Sequence, residues 1–463
     1  MVYSEDTIAA ISTPAGKGGL AVLRISGPDA VRITDKIFQS TGKLTRFENH
    51  RAYHGWIREG NESIDEVVVT LFKAPDSYTG EEVVEISCHG GVFVSRRILE
   101  MILAQGARPA EPGEFTQRAF MNGKIDLSQA EAVAALIQSQ TEASRRVAVY
   151  QLEGKLAEKL NKIREDLIRL ASLLEIELDF GEEDVQFANR NEIQDKLRAI
   201  KVEIEKLICT YERGKVCREG IRMVILGRPN VGKSSILNAL VEKERAIVTE
   251  IPGTTRDLIE DILDIEGILF AITDTAGIRD KKDVSDPIEK EGIQRSERAL
   301  QSSDLVLLVF DNGQPIHADD KSVIQLVKRE KKDIIAVINK TDLKSRIEKK
   351  RLYERLNGIR FVKVSALNRK GIDALIQVLK DQALSEGLPK EGDLVLTSLR
   401  HRNNLVRANK SIIQAEESLK KNMSQEFIAL DLRGALESIG EITGQTTPED
   451  VLNHIFSEFC IGK

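Results

Sequence analysis

A chain of 463 residues with 41% hydrophobic and 30% charged content carries apolar material for about three cores of ordinary size. Its net charge of −6 excludes a protein that coats itself in nucleic acid, so any RNA contact has to be local or shared with a partner. The longest apolar stretches, such as residues 305–310, are only strand length, which argues against membrane spans. The start MVYSEDTIAA lacks the basic and apolar parts of a signal peptide. Cys88, Cys209, Cys217 and Cys460 show no metal-ligand spacing and are too sparse for a disulfide framework, so a cytoplasmic location is expected.

Up to about Met121, short β-branched runs such as 67–72 and 83–87 alternate with Gly and Pro turns, which predicts an α+β region. The segments GKGG at 16–19 and HGG at 89–91 read there as turns. From Asp126 to about Arg213, Leu, Ile and Ala recur at helical spacing, as in Leu167, Leu170, Leu174 and Leu178. Strands and helices alternate from about Glu219 to Ala383, and helices return after Pro389. One helical bundle interrupted by an inserted α/β domain is the simplest arrangement, with boundaries expected at 1–121, 122–216, 217–384 and 385–463.

The most informative segment is 221–240, IRMVILGRPNVGKSSILNAL, which reads strand, glycine-rich loop, helix. Gly232, Lys233 and Ser234 open a helix whose free N–H groups and positive dipole end suit phosphate. Lys233 would reach the terminal phosphates and the Ser234 hydroxyl would ligate Mg²⁺. Asp274-Thr275-Ala276-Gly277 follows the apolar run 268–272 and puts a carboxylate where it can hold the magnesium shell. Asn339-Lys340-Thr341-Asp342 follows another strand-like run. Its Asp342 carboxylate can accept two hydrogen bonds from guanine, whereas adenine would leave it unpaired. Ser365-Ala366-Leu367 would offer a backbone amide to the guanine O6. The order of these segments predicts GTP as the ligand. Ile278 stands where Ras-like enzymes place a water-orienting glutamine, so either hydrolysis awaits an external factor or a polar residue further on supplies that contact.

These segments resemble the G1, G3, G4 and G5 motifs of translation-factor-type GTPases, and Gly253-Thr254-Thr255-Arg256-Asp257 resembles the G2 switch. The whole chain resembles the MnmE (TrmE) family of tRNA-modification GTPases. That wider likeness rests on LRISG at 23–27, SYTGE at 77–81, PGEF at 112–115, KIDLSQAEA at 124–132 and the tail Cys460-Ile461-Gly462-Lys463. The fold class it implies is multidomain: an α+β folate-binding and dimerisation domain, an all-α bundle, and an inserted α/β P-loop (Ras-like) GTPase domain.

The resemblance also implies roles at named positions. GTP would be bound by Asn230, Val231, Gly232, Lys233, Ser234 and Ser235, by Thr249, Glu250, Ile251, Pro252, Gly253, Thr254 and Thr255, and by the three later segments. Mg²⁺ would be held by Ser234 and Thr255, and K⁺ by the Asn230 amide with the carbonyls of Thr249, Ile251 and Thr254. Read alone, Asn230 is a turn-tolerant residue. Glu289 would be the catalytic glutamate, with Glu291 the alternative register. A tetrahydrofolate derivative, 5-formyl or 5,10-methylene, would meet Arg24, Glu85, Lys124 and Lys463, and Cys460 is a candidate catalytic thiol. Its bland alternative is a small residue packed beside Phe456 and Phe459, and the tail fits a prenylation signal poorly.

The implied activity is a K⁺-stimulated GTPase, coupled to pairing of G domains in a homodimer. With the FAD-dependent partner MnmG (GidA), in a heterotetramer or larger complex, it would place a carboxymethylaminomethyl or aminomethyl group on C5 of the wobble uridine of tRNA. Nothing in the chain resembles a flavin or NAD fingerprint, so the redox step would be borrowed. Basic stretches at 400–402 and 349–351, with Arg407 and Lys410, could touch RNA but read more simply as solvated helix faces. The rival reading is a ribosome-assembly or RNA-binding regulatory GTPase. It lacks support from a KH domain or a second phosphate loop.

Overall fold

The computed structural model describes residues 6–40, 47–179, 190–243, 245–246, 261–265, 267–274, 299–383, 389–390 and 392–463. At 177–179, 245, 246, 261 and 274 it describes the backbone alone. The chain divides into two compact units: Met1–Ala134, Gln151–Val202 and Asn403–Lys463 form one, and Ala135–Tyr150 with Glu203–Arg402 form the other.

The first unit holds a sheet of β1 (Ile8–Ile11), β2 (Leu20–Ser26), β3 (Phe38–Gln39), β4 (Arg51–Glu59), β5 (Glu62–Phe72), β6 (Val83–His89) and β7 (Arg108–Pro109). The order is β3-β4-β5-β6-β2-β1-β7, antiparallel except where β1 meets β7. Alternation along the strands decides what is buried on each face. Val67, Val69 and Leu71 of β5 and Val84, Ile86 and Cys88 of β6 join Ile33 of helix Ala30–Ile37 and Ile98 and Ile102 of helix Val92–Ala104 in one core. Burial there pushes the Cys88 thiol up to about 11, which keeps it protonated and unreactive at neutral pH. Ala10 of β1 lies opposite Arg24 of β2, which lies opposite Glu85 of β6, so these three share the other face. On that side Ile8 and Ala10 pack with Ala110, Phe115 and Tyr78.

A buried charge cluster ties that packing to the chain around it. Arg118, on helix Glu114–Met121, is 8% exposed and donates to Asp6 (2.7 Å), Glu114 (3.0 Å) and Glu81 (3.1 Å). Arg108 pairs with Asp6 and Glu114 as well. Burial alone would raise the Glu114 carboxyl. The Arg108 hydrogen bond, the Glu111 amide and Arg118 outweigh it and hold the group below its ordinary value.

The helical part of the same unit follows the expected spacing. Helix Lys155–Asp179 buries Leu167, Leu170 and Leu174 and packs along helix Gln425–Thr443, which buries Ile428, Leu432, Ala435 and Ile439. Helix Glu449–Ser457 places Leu452, Ile455 and Phe456 on Leu127 and Ala130 of helix Leu127–Ile137. Gly113 permits this approach: at φ 69 a Cβ on it would lie 2.5 Å from the Phe456 carbonyl oxygen.

The second unit is a doubly wound sheet of β8 (Ile221–Leu226), β9 (Arg245–Ala246), β10 (Asp261–Ile265), β11 (Ile268–Asp274), β12 (Leu305–Asp311), β13 (Asp333–Asn339) and β14 (Arg360–Lys363). In the order β14-β13-β12-β8-β11-β10-β9, pairing is parallel from β14 to β11 and antiparallel beyond. Every residue of β12 is buried, as expected of a parallel strand covered on both faces. Helices Lys233–Lys243 and Ile372–Ala383 cover one face, and helices Ala318–Arg329 and Lys349–Arg355 the other. β8 is followed in space by β11 on one side and β12 on the other, so the strand order reverses at its carboxyl end, where open α/β sheets bind ligands. Among the described residues no helix is long and apolar enough to cross a membrane, and no group of His, Cys, Asp and Glu is placed to hold a metal.

Replacing Arg118 with Met removes the cation beside Glu81, which keeps the Ser26 hydroxyl, and weakens the hold on Asp6 and Glu114. Denaturant unfolding should show a loss of about 3–5 kcal/mol. The lowered Glu114 value adds a pH signature. Its contribution is complete above 4.5, the ordinary value, and is lost as pH falls from there through the lower folded value. Glu114→Gln should therefore lose less stability than the parent as pH falls below 4.5, and an equal loss in both would contradict the assignment.

Candidate functional site

The loop after β8 sits at the switch point, and helix Lys233–Lys243 points its N-terminus into it. Gly232 has φ 93 and Asn230 φ 63, so the loop turns through left-handed backbone at both positions. The Lys233 ammonium donates to the carbonyls of Gly227 (3.1 Å) and Arg228 (3.2 Å), inside the loop whose phosphates it is expected to meet. Ser234 and Ser235 are exposed at the first turn of the helix. Val231 is buried beneath them.

One buried amide joins this loop to the segments 339–342 and 365–367. Asn339, 2% exposed at the end of β13, donates from Nδ2 to the Val231 carbonyl (2.9 Å), and its Oδ1 accepts the Ala366 N–H (3.1 Å). Gly232 is required beside it: a Cβ there would lie 2.3 Å from Asn339 Nδ2. Lys340, at φ 59, reaches back from Nζ to the Asn230 carbonyl (2.6 Å) and to Asp311 (2.8 Å). Thr341 N–H donates to Val364 (3.1 Å), which fixes the segment against the strand end before Ser365.

Asp342 is exposed, and the buried Ser365 hydroxyl donates to its Oδ1. That hydroxyl, with the residue's own backbone amide, holds the Asp342 carboxyl below its ordinary value, so it is a committed acceptor. Leu367 is 83% exposed beside it, an apolar side chain available to the flat face of a base.

Residues 230–235, 339–342 and 365–367 therefore meet at one end of the sheet. The backbone of Asp274 joins them, since it pairs in register with Ile225 of β8. Thr249, Glu250, Ile251, Pro252, Gly253, Thr254, Thr255, Thr275, Ala276, Gly277, Glu289 and its alternative Glu291 lie outside the described residues, as does the Asp274 side chain.

In the first unit, Arg24 and Glu85 pair directly across β2 and β6 at 2.8 Å. The Arg24 guanidinium lies over the Tyr78 ring at 5.0 Å and over the Phe115 ring at 5.6 Å, so two aromatic faces meet it. Tyr78 is fixed by its hydroxyl against Thr116 (2.9 Å). The sequence contained both aromatics within quoted segments but assigned them no part, because their approach to Arg24 exists only once helix Glu114–Met121 crosses the sheet. Lys124 donates to the Pro75 carbonyl at 2.9 Å, near the same loop.

The tail is stitched to this region. Ile461 forms an antiparallel bridge with Pro112, and the Phe115 N–H donates to the Lys463 carbonyl (3.2 Å). Gly462, at φ 94, lies so close to β1 that a Cβ would come within 2.6 Å of the Ile11 carbonyl oxygen. Cys460 is exposed, unlike Cys88 and Cys217. The Arg24–Glu85 pair and the backbone of Cys460 and Lys463 thus both meet the segment around Gly113 and Phe115.

The contact at Gly232 gives a direct test. Gly232→Ala should separate Asn339 from Val231, weaken binding of a fluorescent guanine nucleotide at least about tenfold, and cost roughly 1–3 kcal/mol in unfolding, read by titration and by melting.

The chain matches the family model described as the MnmE helical domain over residues 127–460, and that described as the GTP-binding protein TrmE N-terminus over residues 7–124. The tRNA modification GTPase MnmE of Natranaerobius thermophilus is 42% identical over 462 residues, covering 99% of this chain and all of that protein. The protein of the same name from Clostridioides difficile is 41% identical over 464 residues and covers both chains fully. That from Syntrophus aciditrophicus is 43% identical over 461 residues, 99% of this chain and all of its own. Among solved structures, Aquifex aeolicus Era bound to GDP and aluminium fluoride aligns with 42% of this chain and 67% of its own at 26% identity and a TM-score of 0.29. Family models spanning nearly the whole sequence and full-length relatives agree, and the chain belongs to the MnmE (TrmE) family of tRNA modification GTPases.

Proposed function

We propose that this chain hydrolyses GTP at the loop 227–234 and uses the change of state to drive modification of tRNA. The observation that carries the reading is the Asn339 amide, which supports a single site built from the phosphate loop and both base-reading segments. In it Lys233 exchanges the Gly227 and Arg228 carbonyls for the terminal phosphates. Asp342 accepts from guanine N1–H and the 2-amino group, and the Ala366–Leu367 backbone faces O6. Ser234, with Thr255 and Asp274, would hold Mg²⁺, which neutralises phosphate charge.

Asn230 suits a monovalent cation. Its backbone carbonyl is occupied by Lys340, and among the described residues its exposed side-chain amide has no hydrogen bond. With the carbonyls of Thr249, Ile251 and Thr254, that amide would hold K⁺, which would supply positive charge beside the β- and γ-phosphates. Closing of 249–255 over this position would be favoured when two G domains meet in a homodimer. Glu289, or Glu291 in the alternative register, would orient the attacking water.

The donor set around Arg24 fits a tetrahydrofolate derivative, which would supply the one-carbon unit. Glu85 can answer N–H donors of a pterin, while Arg24, Lys124 and Lys463 can answer carboxylates. Tyr78 and Phe115 keep Arg24 from swinging away, and Cys460 is the nearby exposed thiol. An FAD-dependent partner, MnmG, would carry the redox step, and the product would be an aminomethyl or carboxymethylaminomethyl group on C5 of the wobble uridine. Domains at 1–121, 122–216, 217–384 and 385–463, the second and fourth forming one bundle, would relay G-domain pairing to the folate site.

GTP turnover in K⁺ should exceed that in Na⁺ by roughly tenfold or more, and Asn230→Ala should erase the difference. In a strain lacking the protein, the parent should restore wobble-uridine modification and Lys233→Ala should not. Equal rates in the two salts would remove the cation from the proposal. Full modification by the Lys233 variant would remove the coupling.

A further inference from the structure

We infer that Asp311 is a positioning residue for the nucleotide site, acting through Lys340 on the backbone of Asn230. The inference rests on the reading of 227–234 and 339–342 as the GTP site. Asp311 ends β12 directly opposite Asn339 of β13, with its side chain 7% exposed. Its Oδ1 accepts the Gly313 N–H (2.8 Å), which fixes the carboxylate plane, and its Oδ2 faces the Lys340 ammonium (2.8 Å). A carboxylate this deeply buried needs a cation, and Lys340 is the one it has among the described hydrogen bonds and ion pairs.

The same ammonium donates to the Asn230 carbonyl at 2.6 Å. Asn230 and Lys340 both adopt left-handed backbone, at φ 63 and φ 59, a conformation that asparagine tolerates and that is uncommon for lysine. The contacts from Asp311 through Lys340 tie the two left-handed turns to each other. They present the Asn230 peptide in one orientation and so direct the amide side chain that would meet the cation. Without the carboxylate, Lys340 is one-third exposed and free to turn to water, and the carbonyl loses a charge-assisted hydrogen bond.

Asp311→Asn keeps the acceptor for Gly313 and sets an amide against the ammonium. Asp311→Ser, which also retains an acceptor, serves as a second variant if the first does not fold. In the full-length protein, either should raise the dissociation constant for mant-GDP about tenfold. Either should also lower the ratio of GTP turnover in K⁺ to that in Na⁺, whereas a merely structural defect would cut both rates by the same factor. In an Asn230→Ala background the same change should still weaken mant-GDP binding but leave the ratio unmoved. Wild-type affinity and an unchanged salt ratio in a variant that melts with the parent would overturn the inference. A parent protein whose mant-GDP binding survives Lys233→Ala would instead overturn the underlying site assignment.

Discussion

The nucleotide site depends on the hydrogen bonds of one side chain. Asn339 is buried, and a buried amide must have its donor and acceptor satisfied. It meets that requirement by donating to the phosphate loop and accepting from the segment after β14, so loops far apart in sequence are locked at one end of a rigid sheet. Gly232 is the steric counterpart of this bond, since the space its side chain would take belongs to the Asn339 amide. Within the segments so joined, Lys233 is aimed by the Gly227 and Arg228 carbonyls and Asp342 by the Ser365 hydroxyl.

The first unit solves a similar problem with charge. Arg24 and Glu85 stand side by side across β2 and β6, with Thr70 of β5 next in line, and the aromatic rings of Tyr78 and Phe115 both lie against the guanidinium. Those rings are in turn placed by helix Glu114–Met121, which is anchored by Arg118 and its carboxylate partners. A pair that is aimed in advance loses less freedom when a ligand arrives.

The grouping of 230–235, 339–342 and 365–367 was legible in the sequence because its logic is local. A phosphate cradle needs glycines at fixed spacing between a strand and a helix, and a base-reading carboxylate needs a strand end, so each part could be read within a short window. The helix spacing of Leu167, Leu170 and Leu174 was legible for the same reason, and all three are buried. Asp311 was not. It closes a continuous apolar run, and the eye stops at the last hydrophobic residue, while its partner Lys340 lies on the neighbouring strand's exit. Arg118 was equally silent, since a charged helix residue announces a solvated face unless tertiary packing brings Asp6, Glu81 and Glu114 around it.

The tail adds a constraint of a different kind. Gly462 lies against Ile11, and Lys463 takes its hydrogen bond from Phe115, although the whole second unit is encoded between those partners. During synthesis, β1 leaves the ribosome long before the segment that must settle on it. Vectorial translation thereby delivers every residue of the second unit before residues 462 and 463, which meet Ile11 and Phe115.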